Sequence, residues 1–319
     1  MLNFCTYFDI FYLHRGLALY RSLAEHTESF TLWILCFDDK TYEILNALKL
    51  PHARLIHWQA FEAKDELLLS AKKNRARVEY YWTCTPSLPL YILKHQPDIQ
   101  MITYLDADIY FFSSPLTILE ELKDGSILII PHDYSPEYAS HQASGKYNVG
   151  VLTFRANNDS FSCLNWWRDR CIEWCYWRHE DGKIGDQAYL DDWPERFQNV
   201  GVSHNAGLNA APWNVSKYSI TLNHHGKVLI ADRPLICYHF HACNFCVMRL
   251  AFFANWKVSL SPVTLSSIYR PYLNTLLDIE RDLSSYGFEV PLPKTGIPWR
   301  YVAGRIFRRQ PVRHFMWVR

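Results

Sequence analysis

The chain has 319 residues, 49% of them hydrophobic and 20% charged, which is enough to bury a large core as one domain with an appendage. Its formal net charge of +1 offers no overall field to attract nucleic acid, so no nucleic-acid partner is expected. The nine cysteines are odd in number and lack framework spacing, and the first residues do not resemble a signal peptide. No apolar run approaches the ~18 residues of a membrane span. These features predict a cytoplasmic globular protein.

Short apolar runs alternate with amphipathic stretches through the first third of the chain, a pattern typical of a mainly parallel sheet covered by helices. Strands are predicted at 3–8, 32–37, 54–58, 101–105, 126–130 and 149–154, with a further strand-like run at 229–240. Helices are predicted at 16–25, 41–50, 87–94 and 162–177. We expect an α/β domain over residues 1–260. Over 261–319 we expect a C-terminal helical appendage that Pro271 must begin, kink or break.

Two acidic residues, Asp106 and Asp108, follow the predicted strand at 101–105. An Asp-x-Asp pattern alone is weak, because chance supplies about one in a chain of this length. The position of the pair after a predicted strand favours a functional site, since ligands of parallel sheets bind outside the carboxyl ends of the strands. There the chain can bend so that both carboxylates face one Mg²⁺ or Mn²⁺ ion. The alternative is one solvated and one capping carboxylate.

The run at 229–240 also ends in polar groups, with His239 and then His241. Imidazole is a suitable third ligand for manganese. A lone histidine in an apolar run is more often structural, but its combination with the acidic pair favours a metal site of Asp106, Asp108 and His239.

These residues resemble the retaining nucleotide-sugar transferases that include glycogenin and the bacterial lipopolysaccharide galactosyltransferases, a glycosyltransferase family 8-like group with the GT-A fold. The resemblance extends over about residues 1–245, in order and approximate spacing. Residues 104–108 resemble the family's metal motif, and 238–240 its late metal histidine. It implies a GT-A sheet, Rossmann-like and mixed but mainly parallel, flanked by helices.

The resemblance also implies roles for individual residues. Asp186 and Gln187 are the expected catalytic pair beside the reacting sugar, where they would stabilise an oxocarbenium-like state. Asn148 and Gly150 would line the acceptor side. Trp213 and Asn214 belong to a loop that either covers the sugar or is a turn closed by a buried tryptophan. The expected nucleotide-sugar contacts are Thr6, Tyr7, Phe8, Asp9, Tyr12, Arg77, Asp106, Ala107, Asp108 and His241, with Tyr7, Phe8 or Tyr12 stacking on the base.

The implied reaction moves a sugar from a nucleoside diphosphate, with a UDP-sugar as the expected donor, to a saccharide or lipid-linked acceptor, with retention. Mn²⁺ or Mg²⁺ is the implied cofactor. The chain departs from the family near Ser87, where a lysine is usual, and after His239, where the usual Gly and Lys-Pro-Trp are replaced. Arg249, Lys72 and Lys73 are candidates for the missing phosphate contacts.

The segment 299–319 contains six arginines, no acid and interleaved aromatic residues. This composition suits an anionic membrane surface and predicts peripheral contact with the inner face of the cell membrane; a solvated basic end is the alternative. A zinc knuckle around Cys243 and Cys246 is disfavoured by its spacing. Two other functions remain open: a non-catalytic sugar-nucleotide or glycan binder, and a haloacid dehalogenase-like phosphatase, which the mid-chain position of the acidic pair disfavours.

Overall fold

A computed structural model describes residues 1–245, 250–252, 260–290 and 315–317. Within these ranges the strands are β1 (Leu2–Phe8), β2 (Phe30–Cys36), β3 (Ala53–His57), β4 (Met101–Leu105), β5 (Ile109–Phe111), β6 (Ile127–Pro131), β7 (Tyr147–Arg155), β8 (Val200–Val202), β9 (Ile220–Leu222), β10 (Val228–Ile230), β11 (Arg233–Pro234), β12 (Cys237–His239), β13 (Asn244–Phe245), β14 (Leu250–Phe252) and β15 (Phe315–Trp317). The helices are α1 (Leu13–His26), α2 (Asp39–Leu48), α3 (Trp58–Glu62), α4 (Glu66–Lys72), α5 (Arg77–Cys84), α6 (Ser87–His95), α7 (Leu116–Leu122), α8 (Asn158–Glu173), α9 (Trp193–Arg196), α10 (Pro262–Thr264) and α11 (Arg270–Ser285).

The central sheet has, within the described ranges, seven strands in the order β3-β2-β1-β4-β7-β6-β8. Neighbouring strands are parallel except that β7 runs antiparallel to both β4 and β6. The predicted mixed, mainly parallel sheet is therefore confirmed. Because β7 is reversed, its first residues lie at the edge of the sheet where the parallel strands end.

Helices cover both faces of this sheet, and a hydrophobic core fills each face. Phe4 and Leu105 belong to the core shared with α1 and α11, whereas the neighbouring Cys5 and Tyr104 belong to the core shared with α6 and α8. Successive strand residues point to opposite faces, so both sets are buried. This is why the strands are uninterrupted apolar runs in the sequence.

One contact between helix and sheet requires glycine. Gly16 in α1 lies against the ring of Phe8 in β1, and a Cβ at residue 16 would come within 2.1 Å of that ring. Because Phe8 is 2% exposed, Gly16→Ala is expected to lower the free energy of unfolding by about 2–3 kcal/mol, measurable by denaturant titration. Gly201→Ala is the matched control, since its Cβ would meet its neighbours at an ordinary 3.6 Å. Equal stability of the two variants would contradict this packing.

The apolar run at 229–240 is not one strand. Ala231 and Asp232 have φ angles of 46° and 61°, and they form a two-residue turn that pairs β10 antiparallel with β11. β12 then pairs with β5. The helix predicted at 162–177 is α8, which begins earlier because the Asn157 side chain accepts a hydrogen bond from the Ser160 N–H and caps it.

The predicted C-terminal helix is present. A π-helical turn, Leu265–Tyr269, joins α10 to α11 without a break, and Pro271 lies just after this turn, at the irregularity that the sequence predicted. Leu273 and Leu276 of α11 share the core of α1. Among the described residues, no helix has the length and apolar character that a membrane span requires. Apart from the backbone of β15, the basic aromatic tail lies outside the described residues, as do Arg249 and Cys246.

Candidate active site

A cavity of about 380 Å³ opens at the edge of the central sheet where the parallel strands end. Small-molecule sites typically measure roughly 300–1,000 Å³. A larger groove, of about 1180 Å³, lies at the opposite edge and has none of the predicted site residues in its described lining. The smaller cavity is lined by Tyr7, Trp82, Asp106, His132, Tyr134, His141, Ser144, Asn148, Val149, Trp177, Ile184, Gly185, Asp186, Gln187, Trp213, His239 and His241.

The acidic pair lies in a turn that follows β4. The Ile109 N–H donates to the Asp106 carbonyl at 3.1 Å, and β5 begins at Ile109. β5 pairs antiparallel with β12 in a register that sets His239 opposite Ile109. The Phe240 N–H also donates to the Asp108 carbonyl at 2.9 Å. This strand pairing brings a histidine from far along the chain to the acidic pair.

Three side chains from these two strands form a group suited to a metal ion. One potential ligand atom from each of Asp108, His239 and His241 lies within 4.8 Å of the other two. The His239 Nε2 is 3.1 Å from the Asp108 Oδ1 and 3.6 Å from the Asp106 Oδ2. An octahedral ion with bonds of about 2.1 Å holds neighbouring ligands about 3 Å apart. The spacing and the oxygen and imidazole ligands therefore fit a divalent ion such as Mn²⁺.

The two carboxyl groups have different electrostatic environments. Burial raises the pKa of Asp106 against the opposing effect of His239, and the Tyr104 hydroxyl donates to its Oδ1 at 2.8 Å. Burial also acts on Asp108, but His239 outweighs it and holds the pKa of Asp108 below its usual value. Asp108 is thus ionised, which is the state that binds a cation.

Asp186 and Gln187 form another part of the cavity wall. The Trp167 Nε1 donates to the Asp186 carbonyl at 2.8 Å, and the Gln187 Nε2 donates to the Ser144 carbonyl at 2.6 Å. These bonds fix the Asp186 backbone and the Gln187 side chain. Burial raises the pKa of the Asp186 carboxyl to about 7, and the negative charge of Asp106 adds to this effect. A carboxyl group of this kind can change charge near neutral pH.

Residues predicted to contact the nucleotide gather beside the end of β1. The Asp9 Oδ2 accepts a hydrogen bond from the Tyr81 hydroxyl at 3.1 Å and lies 3.6 Å from an Arg77 guanidinium nitrogen. Arg77 also stacks over the Phe11 ring, 4.8 Å from its centroid. Tyr12 is 44% exposed. Arg77, Phe11 and Tyr12 form an accessible polar and aromatic surface, and Asp9 lies buried beneath it.

The predicted contacts on β1 itself divide between the two faces of the strand. Tyr7 lines the cavity, and its hydroxyl is 2.9 Å from that of Thr85. Thr6 and Phe8 point the other way, and both side chains are buried in the core beneath α1. The prediction that the Phe8 ring stacks on a base is therefore wrong, because strand alternation turns that ring inward.

Asn148 and Gly150 lie at the start of β7, where the reversed strand meets the cavity. The Asn148 Oδ1 accepts from the Gly150 N–H at 2.7 Å, and its Nδ2 lies 3.1 Å from the His132 Nε2. A Cβ at residue 150 would come 2.8 Å from the His239 Nδ1. Glycine therefore allows His239 to pack against β7.

Trp213 and Asn214 lie in a loop that packs against His132 and His239. Trp213 is 3% exposed, and its Nε1 donates to the His132 carbonyl at 3.0 Å. The Asn214 Nδ2 donates to the carbonyls of His132 and Asn209, each at 2.9 Å. Asn214 thus fixes the loop, and only a small part of the Trp213 ring is available at the cavity wall. Their contact with a sugar stays a prediction.

Two curated proteins of Bacillus subtilis (strain 168) are similar to this chain. YfnD is 30% identical over 306 residues, which cover 93% of this chain and 96% of YfnD. The chain belongs to the YfnD family. YfnF, a second relative, is 34% identical over 245 residues, covering 74% of this chain and 80% of YfnF. Both relatives are described as uncharacterized proteins, and no family model matches the chain.

The fold of this YfnD-family protein matches a solved transferase. The crystal structure of galactosyltransferase LgtC, in complex with donor and acceptor sugar analogs, superposes with a TM-score of 0.52 at 15% identity. The match covers 75% of this chain and 87% of that structure. The predicted GT-A fold with a C-terminal helix is thereby confirmed.

Several residues that line the cavity of this family member were not predicted from the sequence. His132 directly follows β6, so the strand-end rule that identified Asp106 would also have found it. Burial lowers the pKa of His132 to about 3, which keeps it neutral. Trp82 and Trp177 gave no such signal. Trp82 lies in α5 and Trp177 in the loop after α8, so neither lies at a strand end.

Proposed function

We propose that this protein is a metal-dependent glycosyltransferase. It moves a sugar from a nucleoside-diphosphate donor, expected to be a UDP-sugar, to a saccharide or lipid-linked acceptor with retention of configuration. The observation that carries the proposal is that one cavity joins His239 and His241, which are spaced to hold a metal ion with Asp108, to Asp186 and Gln187. The cytoplasmic location and membrane contact of the tail stay predictions from the sequence.

The donor's diphosphate would lie against the group of Asp106, Asp108, His239 and His241. A divalent ion held there supplies Lewis-acid stabilisation of the charge on the departing phosphate. The exposed ring of Tyr12 suits stacking on the base. Asp9, already held by Tyr81 and near Arg77, offers a carboxylate to a base N–H or a ribose hydroxyl.

The missing family lysines need replacement by other cations. Lys72 is unsuitable, because its ammonium group lies 2.8 Å from both carboxylate oxygens of the buried Glu62. Arg15 is better placed. Its guanidinium stacks over Tyr12, 4.5 Å from the ring centroid, and donates to the Cys243 carbonyl at 3.0 Å. Its charge also favours the ionised form of Asp108, which supports a role for Arg15 beside the phosphates.

Asp186 and Gln187 would act on the transferring sugar. An ionised Asp186 carboxylate stabilises positive charge on the anomeric carbon, and Gln187, held by the Ser144 carbonyl, positions the ring. With retention, the departing phosphate accepts the proton of the acceptor hydroxyl, so no further base is required from the protein.

Calorimetry and a hydrolysis assay test the proposal together. We expect UDP to bind in the presence of Mn²⁺ and to lose most of its affinity in EDTA, with ADP as the comparison nucleotide. Incubation with UDP-glucose, UDP-galactose and UDP-N-acetylglucosamine should release free sugar from at least one donor slowly without acceptor. Binding without hydrolysis of any donor would instead support a non-catalytic binder. Nucleotide-independent hydrolysis of phosphate esters would support a phosphatase.

A further inference from the structure

A short hairpin loop follows α8 and forms one rim of the cavity. The Gly185 N–H donates to the Tyr176 carbonyl at 3.0 Å, and Glu180 and Lys183 exchange backbone hydrogen bonds of 3.1 and 2.9 Å. Its two-residue tip, 181–182, has φ angles of 50° and 75°, as a tight hairpin turn requires. The loop leads directly into Asp186 and Gln187.

This loop is fastened to the N-terminal end of α5. One Glu79 carboxylate oxygen accepts from the Trp177 N–H at 2.8 Å, and the other accepts from the Ala76 N–H at 2.8 Å. The Arg75 guanidinium stacks on the Tyr176 ring at 3.9 Å and donates to two carbonyls at the end of α8. The backbone of the loop is therefore fixed against α5 and the end of α8.

The loop presents a large ring to solvent. Trp177 is 69% exposed, and its ring lies 5.3 Å from that of Trp82 at an angle of 58°. Both rings line the cavity on the side of Asp186 and Gln187. A tryptophan this exposed at the mouth of a cavity has the properties of a binding platform, since a ligand that covers the ring removes its apolar surface from water.

We propose that Trp82 and Trp177 form an acceptor subsite that stacks against a pyranose ring of a saccharide. This inference rests on the proposed glycosyltransferase function. The C–H face of a pyranose packs on the electron-rich face of an indole ring. The neighbouring Arg178 and Glu180, joined by a 2.7 Å ion pair, make the rim polar, which favours a sugar over a lipid chain. The Trp213 ring is too deeply buried to fill this role.

The acceptor is assigned to this subsite because the donor has other contacts. The proposed base and phosphate groups lie around the end of β1 and the metal-ligating histidines. Asp186 and Gln187 follow the hairpin directly in the chain and line the same cavity, so a sugar on Trp177 would lie beside the reacting centre. The hydroxyl that attacks would belong to the ring stacked on, or next to, this platform.

Saturation-transfer NMR with lactose, cellobiose and maltose tests the subsite, in the presence of UDP and of Mg²⁺, which is diamagnetic and does not broaden the ligand signals as Mn²⁺ would. At least one disaccharide should bind the wild-type protein, and Trp177→Ala should weaken that binding by roughly 5- to 30-fold. Trp177→Phe should recover part of it. Tyr286→Ala is the matched control, because Tyr286 is 66% exposed but follows α11, away from the cavity.

Calorimetry with Mn²⁺ and UDP separates the two proposals. If wild type and Trp177→Ala bind UDP equally and the disaccharides distinguish them, the subsite is supported. If both bind UDP but also bind the disaccharides equally, or if the wild type binds none, the subsite is wrong and the proposed function stands. If the wild type does not bind UDP with Mn²⁺, both proposals fail.

Discussion

Replacing Asp186 by asparagine is expected to lower the rate of sugar transfer by roughly 100- to 1,000-fold, the usual cost of removing one group that stabilises transition-state charge. Asparagine keeps the shape of the side chain but cannot offer a negative charge to the developing cation. The Mn²⁺-dependent affinity for UDP should stay within about twofold, because the proposed nucleotide contacts involve other residues. Steady-state kinetics and calorimetry measure the two quantities separately.

The same substitution should stabilise the fold above neutral pH. Because the pKa of Asp186 is raised from 3.8 to about 7, the native chain binds this proton more tightly than the unfolded chain. Stability therefore falls as the pH rises from about 4 to about 7. Above pH 7 the buried, ionised Asp186 carboxyl lowers the free energy of unfolding by at most about 4 kcal/mol. Asp186→Asn removes this loss of stability. The variant's melting temperature in EDTA should exceed that of the wild type at pH 8, by a margin that shrinks towards pH 4.

The pH dependence of turnover provides an independent check. If ionised Asp186 is required, kcat/KM of the wild type should rise with pH as this carboxyl loses its proton, at or below about pH 7 because a bound cation offsets the charge of Asp106. Asp124→Asn, at an exposed acid following α7, is the control and should change neither turnover nor the stability profile. Undiminished turnover in Asp186→Asn would remove Asp186 from the mechanism, and an unchanged melting temperature at pH 8 would contradict its burial as a charged group.

Much of the fold was predictable because the sheet is covered on both faces. Buried strands such as β1 and β4 leave continuous apolar runs in the sequence, and the polar residues that end them, Asp9 and Asp106, indicate the functional edge. The same rule finds His239 at the end of β12. Sequence spacing did not reveal that β12 pairs with β5, and this long-range pairing is what brings His239 to the acidic pair.

The unpredicted parts depend on side-chain direction and on irregular loops. The inward orientation of Phe8 follows from strand register, which a run of apolar residues on both faces does not reveal. The hairpin that carries Trp177 depends on Glu79 of α5 and on Arg75 in the loop before α5, so it has no local signal. Trp213 and Trp177 are indistinguishable by residue type, yet one is 3% and the other 69% exposed.

Asp108→Asn is expected to remove metal-dependent nucleotide binding almost completely. Mutating groups that only support a metal ligand costs about 10- to 100-fold in affinity, so loss of a ligand charge should cost about 100-fold or more for Mn²⁺. The physical reason is that Asp108, unlike Asp106, combines a 3.1 Å contact with His239 and a place in the group with His241. Asparagine retains the side-chain shape, which limits the change to charge and ligand strength.

Asp106→Asn is the most informative comparison for this prediction. One carboxylate oxygen of Asp106 already accepts a hydrogen bond from the Tyr104 hydroxyl, and the other is 3.6 Å from the His239 Nε2. We therefore expect Asp106→Asn to lose less Mn²⁺ affinity than Asp108→Asn. Calorimetric titration of each variant with MnCl₂, followed by UDP, gives both affinities, and thermal unfolding in EDTA verifies that the fold is intact. If Asp108→Asn binds Mn²⁺ and UDP as tightly as the wild type, the ion does not lie between Asp108 and the histidines. If Asp106→Asn loses more Mn²⁺ affinity than Asp108→Asn, the ion lies closer to β4. His241 would then contact the nucleotide and not the ion.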